Sequence, residues 1–283
     1  MTTAGVKHEG AASPAATVRR FGREILALLA LPARPPRRLA TGAAILSAAR
    51  LALGLLAAAV LIVLAMLVLD GWALGQQKRT PIWVIDLFNE ITDYGRSGWF
   101  LWPCGIAVIA LAGMAATKQR LARLTIVSLI VRLEFIFLAV ALPGLVVTVV
   151  KRLIGRVRPS VIGPFAYVPF SWRPDYASMP SGHATTAFAV AVALGALWPR
   201  ARPLLWLYAV VIALSRVIIA AHYPSDVIAG ACVGGFTALI IRSYFAARHL
   251  GFAVASDGTV HALPGPSLRR LGSSLTRLFK PAS

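Results

Sequence analysis

Three short segments of the chain combine basic residues, histidines and a carboxylate in a pattern suited to chemistry on a phosphate group. They are residues 151–159 (KRLIGRVRP), 180–183 (PSGH) and 215–226 (SRVIIAAHYPSD). Lysine supplies a point charge, and the planar guanidinium of arginine donates paired hydrogen bonds to phosphate oxygens. Ser181 and Gly182 precede a predicted helix, whose free N–H groups and positive dipole end also favour an anion. The predicted phosphate-binding residues are Lys151, Arg158, Ser181, Gly182 and Arg216.

Two histidines in these segments supply the remaining groups that phosphoryl transfer needs. Asp226 follows His222 by four residues, so its carboxylate can accept a hydrogen bond from one ring nitrogen and leave the other as a nucleophile. His183 is then available as a general acid for the leaving oxygen. The predicted catalytic residues are therefore His222, His183 and Asp226. No metal or other cofactor is predicted, and the two cysteines show no metal-ligand spacing.

The composition places these segments in a membrane protein. Of 283 residues, 58% are apolar and 14% are charged, whereas soluble domains have about 45–50% and about 25%. Apolar runs that can cross a bilayer cover residues 51–69, 99–116, 124–150, 184–199, 203–221 and 225–247. We therefore predict an all-α, polytopic bundle of six transmembrane helices.

The runs divide the chain into three predicted parts. These are a basic cytoplasmic N-terminal segment (1–43), a six-helix membrane domain (44–247) and a basic amphipathic cytoplasmic tail (248–283). In the first part, Val18, Phe21 and Ile25 recur with helical spacing among arginines, which predicts a basic helix on the membrane surface. In the tail, a second such helix is predicted from Leu268, Leu271, Leu275 and Leu278.

The net charge of +19 predicts which side each loop faces. In a soluble protein it would suggest nucleic acid, but basic loops of membrane proteins face the cytoplasm. Basic excess in both terminal parts and in loops 117–123 and 200–202 predicts that both termini are cytoplasmic, and no nucleic-acid partner is expected. Loop 70–98, with more acidic than basic residues, is predicted to face outward.

Residues 151–183 break this rule. They should also face outward, yet they contain Lys151, Arg152, Arg156, Arg158 and Arg173 against Asp175 alone. An anionic ligand at the outer face explains such a cluster. The same topology places all three motif segments at that face.

The spacings Lys-x6-Arg-Pro, Pro-Ser-Gly-His and Ser-Arg-x5-His-x3-Asp, in this order, resemble the type-2 phosphatidic acid phosphatase superfamily. The similarity covers roughly residues 99–245, with no departure at the catalytic positions. It implies a six-helix core and a metal-independent mechanism, in which His222 forms a phosphohistidine that water hydrolyses. Asp226 would support His222, and His183 would protonate the leaving group. The phosphate would be held by Lys151, Arg158, Arg216, Ser181 and the Gly182 backbone amide.

The resemblance therefore implies an integral lipid phosphatase of a bacterial cytoplasmic membrane, with its active site on the periplasmic face. Its substrate would be a membrane lipid phosphate in the surrounding bilayer, and its oligomeric state is left open. Four substrates stay open because each carries a terminal phosphate on an apolar anchor: phosphatidate, phosphatidylglycerophosphate, polyprenyl diphosphate and lipid A 1-phosphate.

Three rival functions are weighed against this one. A lipid phosphotransferase of the same family would share the covalent intermediate but pass the phosphate to an acceptor other than water. A vanadate-dependent haloperoxidase uses a similar anion cradle, but such enzymes are soluble, which the six apolar runs oppose. A non-enzymatic anion transporter would not require the His222–Asp226 pair together with His183.

Several residues near the motifs have two interpretations. For Arg152 and Arg156, contact with lipid headgroups or solvent is as well supported as contact with substrate. Arg132 and Glu134 do not share a helix face and are interpreted as inner-leaflet anchors. Loop 160–179 contains five aromatic residues and either dips into the outer leaflet at a lateral lipid entrance or packs on itself as a lid. Residues 81–98 include an amphipathic stretch predicted to form an interfacial helix.

Overall fold

Helices formed by the apolar runs dominate the computed structural model, which describes residues 14–36, 48–77, 79–116, 120–161 and 163–265. The helices are α1 (Pro14–Leu29), α2 (Ala48–Gln77), α3 (Ile82–Asp93), α4 (Gly98–Ala116), α5 (Arg120–Ile154), α6 (Gly182–Leu197), α7 (Arg202–Ile218) and α8 (Pro224–Ala247). They are followed by an antiparallel hairpin of β1 (Phe252–Val254) and β2 (Val260–Ala262). The predicted helical membrane fold is confirmed.

Five stretches of the described chain are long and apolar enough to cross a membrane. They are Ala49–Gln77, Ile82–Ala115, Ala122–Ile154, Pro199–Ile218 and Pro224–Ala247. The remaining predicted span, residues 184–199, forms α6, which has only 16 residues. Such a helix is about 24 Å long, shorter than the roughly 30 Å of bilayer hydrocarbon. The predicted count of six spans is therefore not confirmed.

Helices α6 and α8 pack closely because glycines on α8 let the two backbones approach. A Cβ atom on Gly230 would lie 2.4 Å from the carbonyl oxygen of Ser181, and one on Gly234 would lie 2.2 Å from that of Thr185. Small residues spaced four apart are a common means of close packing between membrane helices. The contact brings the N-terminus of α6 beside the N-terminus of α8, where two of the three motif segments lie.

Elements at the two ends of the chain pack on the opposite end of the bundle. The predicted N-terminal helix is present as α1, and the ring of its Phe21 approaches Gly113 of α4. The β hairpin was not predicted; its Phe252 is 1% exposed, with the ring centroid 4.7 Å from that of Phe135 on α5. The leucines between 268 and 278, predicted to form an amphipathic helix, lie outside the described residues.

The two charged residues in the middle of α5 face protein groups. Arg132 donates a hydrogen bond of 2.8 Å to the carbonyl oxygen of Leu263, which ties α5 to the segment after the hairpin. Glu134 is 6% exposed and lines a cavity of about 260 Å³ between α1, α4 and α5. A side chain this buried does not reach lipid headgroups, so the interpretation of Glu134 as an inner-leaflet anchor is wrong.

Candidate active site

The three motif segments meet at one end of the bundle. Lys151 lies in the last turn of α5, Gly182 begins α6, and Asp226 lies in the first turn of α8. The backbone N–H of Ser181 donates to the carbonyl oxygen of Asp226 at 2.9 Å. A Cβ atom on Gly182 would lie 3.7 Å from Lys151 Nζ. Residues that are up to 75 positions apart in the sequence are thus neighbours at this end.

His222 is held by a tight turn between α7 and α8. Ala220 adopts a positive φ of 55°, and the amides of Ala221 and His222 both donate to the carbonyl oxygen of Arg216 at 3.1 Å. The side chain of His222 is buried. Burial lowers the pKa of His222 to about 4, against the opposing effect of Asp226. The ring is therefore neutral at neutral pH, the form that a nucleophilic imidazole requires.

The Nδ1 atom of His222 faces the carboxylate of Asp226, as the four-residue spacing predicts. The distance from Nδ1 to Asp226 Oδ2 is 3.7 Å, longer than a hydrogen bond. Ser178 lies between the two groups: its hydroxyl donates to Oδ2 at 2.5 Å and is 3.5 Å from Nδ1. The backbone N–H of Tyr223 donates to the same Oδ2 at 3.0 Å. Catalytic hydrogen bonds are often long before substrate binds, and Nε2 is left as the second ring nitrogen.

Three of the predicted phosphate ligands form a cluster of positive charge. Arg158 and Arg216 both repel the charge of Lys151. Arg158 is oriented by a hydrogen bond of 3.1 Å from its Nε to the Pro174 carbonyl oxygen. Arg216 donates from Nη1 to the Thr92 hydroxyl of α3 at 2.8 Å, and its Nε is buried without a hydrogen-bond partner among the described residues. Such a concentration of cations attracts an anion.

A cavity of about 230 Å³ opens beside this cluster, between the turn that joins α3 to α4, the C-terminal part of α5 and the start of α6. Three predicted site residues line it, namely Lys151, Gly182 and His183. Its polar lining also includes Arg96, Ser97, Thr148 and Thr186. His183 therefore lies where it can meet a group that enters from this side. Over the described ranges, no set of three or more His, Cys, Asp or Glu side chains is arranged to hold a metal ion.

Arg156 occupies a place that neither of its two interpretations anticipated. It is fully buried, with Nη1 2.6 Å from Asp226 Oδ1 and Nη2 2.7 Å from Asp70 Oδ2. The chain turns inward to reach this place at Gly155, which has a φ of 65° and where a Cβ atom would lie 1.9 Å from the Val168 carbonyl oxygen. Lipid headgroups and solvent are therefore excluded as contacts of Arg156.

Four residues of this region were not identified from the sequence. Asp70, assigned to the first outward loop, lies instead within α2 and is 0% exposed. The signal that could have found it is its position directly after 19 uncharged apolar residues. The others have no distinctive spacing in the sequence and are Thr92, Ser178 and Ser225.

Comparison with known proteins finds a family model, sequence relatives and a solved structure that match this chain. The model of the PAP2 superfamily matches residues 133–250. The chain is 36% identical over 203 residues to the lipid A 1-phosphatase of Rhizobium etli. The aligned region covers 70% of this chain and 86% of that protein. It is 35% identical over 206 residues to the lipid A 1-phosphatase of Rhizobium johnstonii, covering 70% of this chain and 82% of that protein. A crystal structure of a transmembrane PAP2-type phosphatidylglycerolphosphate phosphatase from Bacillus subtilis matches with a TM-score of 0.40 and 22% identity, over 80% of this chain and 95% of that one.

Proposed function

The chain belongs to the PAP2 superfamily, and from this premise we propose that it is a phosphatase that removes the 1-phosphate from a lipid of the lipid A type. The observation that carries the proposal is the meeting of His222, Asp226 and His183 with three cations at one end of an apolar bundle. Two relatives named lipid A 1-phosphatase match over more than four fifths of their length. The polar lining of the neighbouring cavity, with Arg96, Ser97 and Thr148, suits a sugar headgroup that offers hydroxyl groups.

In the proposed first step, the neutral Nε2 of His222 attacks phosphorus. A P–N bond forms while the bond from phosphorus to the lipid oxygen breaks, and His183 gives a proton to that oxygen. Burial and the neighbouring cations lower the pKa of His183 to about 3, so His183 takes up this proton together with the anionic phosphate. The imidazole becomes positively charged, and Asp226 stabilises this charge from the Nδ1 side. The phosphate oxygens are held by Lys151, Arg158, Arg216, Ser181 and the backbone amide of Gly182.

In the proposed second step, water hydrolyses the phosphohistidine. His183, now neutral, accepts a proton from the water as its oxygen attacks phosphorus, and the P–N bond breaks to regenerate His222. The three cations stabilise the negative charge that spreads over the phosphate oxygens in both transition states. No step uses a metal ion.

The loop charges support a placement of this site on the periplasmic face of a bacterial cytoplasmic membrane. The terminal parts and the loops at 117–123 and 200–202 carry basic excess and would face the cytoplasm. The helix ends that carry the motifs would then face outward. In this arrangement, residues 44–247 form the catalytic membrane domain between two basic cytoplasmic parts, 1–43 and 248–283.

The test is phosphate release by the purified protein from a panel of lipid A 1-phosphate, phosphatidate, phosphatidylglycerophosphate and polyprenyl diphosphate. We expect kcat/KM to be highest for lipid A 1-phosphate, free inorganic phosphate as the product, and activity that persists in EDTA. His222→Ala should lower the rate by more than about 10³-fold. Retained activity in this variant, or activity lost in EDTA and restored by Mg²⁺, would contradict the mechanism. Phosphate transferred to a second lipid would identify a phosphotransferase instead.

A further inference from the structure

Arg156 and Asp70 form a buried charged cluster with Asp226, and we propose that these two residues position the Asp226 carboxylate for its work on His222. They are positioning residues and not part of the phosphate cradle. The inference rests on the proposed function, because it requires His222 to be the nucleophile. It extends the catalytic machinery to α2, which lies outside the residues that the PAP2 model matches.

The guanidinium of Arg156 has no N–H left for a substrate. An arginine has five N–H donors, and all five have protein acceptors here. Nε donates to the Pro164 carbonyl oxygen at 3.2 Å, and Nη2 donates to the same oxygen at 2.9 Å and to Asp70 Oδ2 at 2.7 Å. Nη1 donates to Ser225 Oγ at 2.7 Å and to Asp226 Oδ1 at 2.6 Å. Its place between Lys151 and Arg158 in the sequence therefore does not make it a phosphate ligand.

Arg156 fixes the orientation of the Asp226 carboxylate. Its contact with Oδ1 complements those of Ser178 and the Tyr223 N–H with Oδ2, so both carboxylate oxygens are held. Oδ2 is thereby kept toward Nδ1 of His222. Without Arg156, a fully buried carboxylate would lose its countercharge and either rotate or take up a proton. In either case it would support the charged imidazole less well.

Asp70 completes the cluster from α2. Its Oδ1 accepts from the backbone N–H of Ser225 at 3.0 Å and its Oδ2 from the Ser225 hydroxyl at 2.6 Å, so it caps the first turn of α8. Burial by itself would lower the pKa of Arg156, but Asp226 and Asp70 raise it above the ordinary value. A buried carboxylate in a membrane helix is costly unless it is paired, and Arg156 and Ser225 provide the pairing.

A purely structural brace and a positioning role make different predictions for the folded enzyme. Loss of a brace would lower the yield or the thermal stability of the protein and leave the turnover of the folded fraction unchanged. Loss of positioning would lower kcat at nearly constant KM, because the cations that bind the phosphate are untouched. A lowered kcat of the folded protein at nearly constant KM therefore indicates positioning, and an unchanged kcat indicates a brace.

The experiment compares Asp70→Asn with Glu134→Gln in the full-length purified protein. Both variants replace a buried carboxylate in the apolar part of the bundle by its isosteric amide, but Glu134 lines the cavity at α1, α4 and α5. We expect Asp70→Asn to lower kcat by about 10- to 100-fold, with KM and orthovanadate inhibition within about threefold. Glu134→Gln should keep the kcat of the wild type. A kcat for Asp70→Asn within about twofold of the wild type, or a matching loss in Glu134→Gln, would overturn the proposal.

A milder variant keeps the test decisive if Asp70→Asn does not fold. Ser225→Ala removes only the hydroxyl that Arg156 and Asp70 share, and we expect a kcat lowered by about 3- to 10-fold. A wild-type kcat in Ser225→Ala would count against the proposal. His222→Ala is measured in parallel: if it retains activity, the proposed function fails, whereas if it is inactive while Asp70→Asn and Ser225→Ala turn over normally, only the positioning role fails.

Discussion

The connection between α5 and α6 contains two regions of opposite character. Its first residues run through the protein, with Arg156 at 0% and Val157 at 1% exposure. Farther along, Phe165, Phe170 and Trp172 are 62%, 76% and 82% exposed. Basic residues occur in both regions, so the positive charge of residues 151–183 does not have one cause. We infer that the buried region supports the chemistry and that the exposed region meets the lipid surface.

The exposed region is organised by contacts that water or lipid can reach. Arg152 donates to the Trp172 carbonyl oxygen at 2.5 Å and lies 5.8 Å from the centre of its ring. Arg173 pairs with Asp175 at 3.4 Å, and both side chains are at least half exposed. The aromatic rings are not buried against each other, which favours the interpretation that loop 160–179 dips into the outer leaflet over that of a self-packed lid.

The sharpest test of this contrast compares Asp226→Asn, which removes the carboxylate that Arg156 of the buried region contacts, with Asp175→Asn in the exposed region. We expect Asp226→Asn to lower kcat by about 10³- to 10⁴-fold, because an amide cannot stabilise the charged imidazole as a carboxylate does. Asp175→Asn should change kcat by less than about threefold, since an exposed ion pair contributes little. Steady-state phosphate release on folded protein gives both values, and similar losses in the two variants would remove the distinction.

The pH dependence of His222 tests how strongly burial acts on the nucleophile of the proposed mechanism. Because the pKa of His222 is lowered to about 4, the ring is protonated below that pH and neutral above it. At pH 5 roughly nine tenths of the rings would be neutral, against about 3% for an ordinary histidine. NMR titration of histidine-labelled protein in micelles, with His222→Gln for assignment, should show a midpoint near 4. A midpoint near 6.5 would show that the site is wetter than the structure indicates.

The smallest expected effect belongs to the exposed aromatic residues. Replacing Phe170 and Trp172 by serine should raise KM for long-chain lipids by about 3- to 10-fold, because their contact with the bilayer is lost. The value for a short-chain, water-soluble substrate should stay within about twofold. A kcat reduced equally for both substrates would instead favour a lid that closes over the site.

The residues of the candidate site were predictable because their spacing is local. The interval between His222 and Asp226 is one helical turn, and the segments that carry Lys151, Gly182 and Arg216 adjoin helix ends that apolar runs mark. The fold class followed from the same runs. These features depend on residue spacing and on apolar runs, which are visible in the sequence itself.

The remaining features depend on partners that are distant in the chain. Asp70 and Arg156 are separated by 86 positions, and only the packed bundle shows that one explains the other. The Ser178 hydroxyl that enters between His222 and Asp226 lies in an irregular segment with no periodicity. The hairpin strands have three residues each, too few for an alternating pattern.

The glycine contact between α6 and α8 limits how the enzyme could be redesigned. No side chain fits at Gly230 or Gly234 without forcing backbone atoms apart, so libraries that vary these positions would mainly yield misfolded protein. The separation of Ser181 from Asp226 is consequently not an adjustable parameter. Engineering of substrate preference should instead vary the rim of the cavity at Arg96, Ser97 and Thr148, where side chains can change size without moving the two helices.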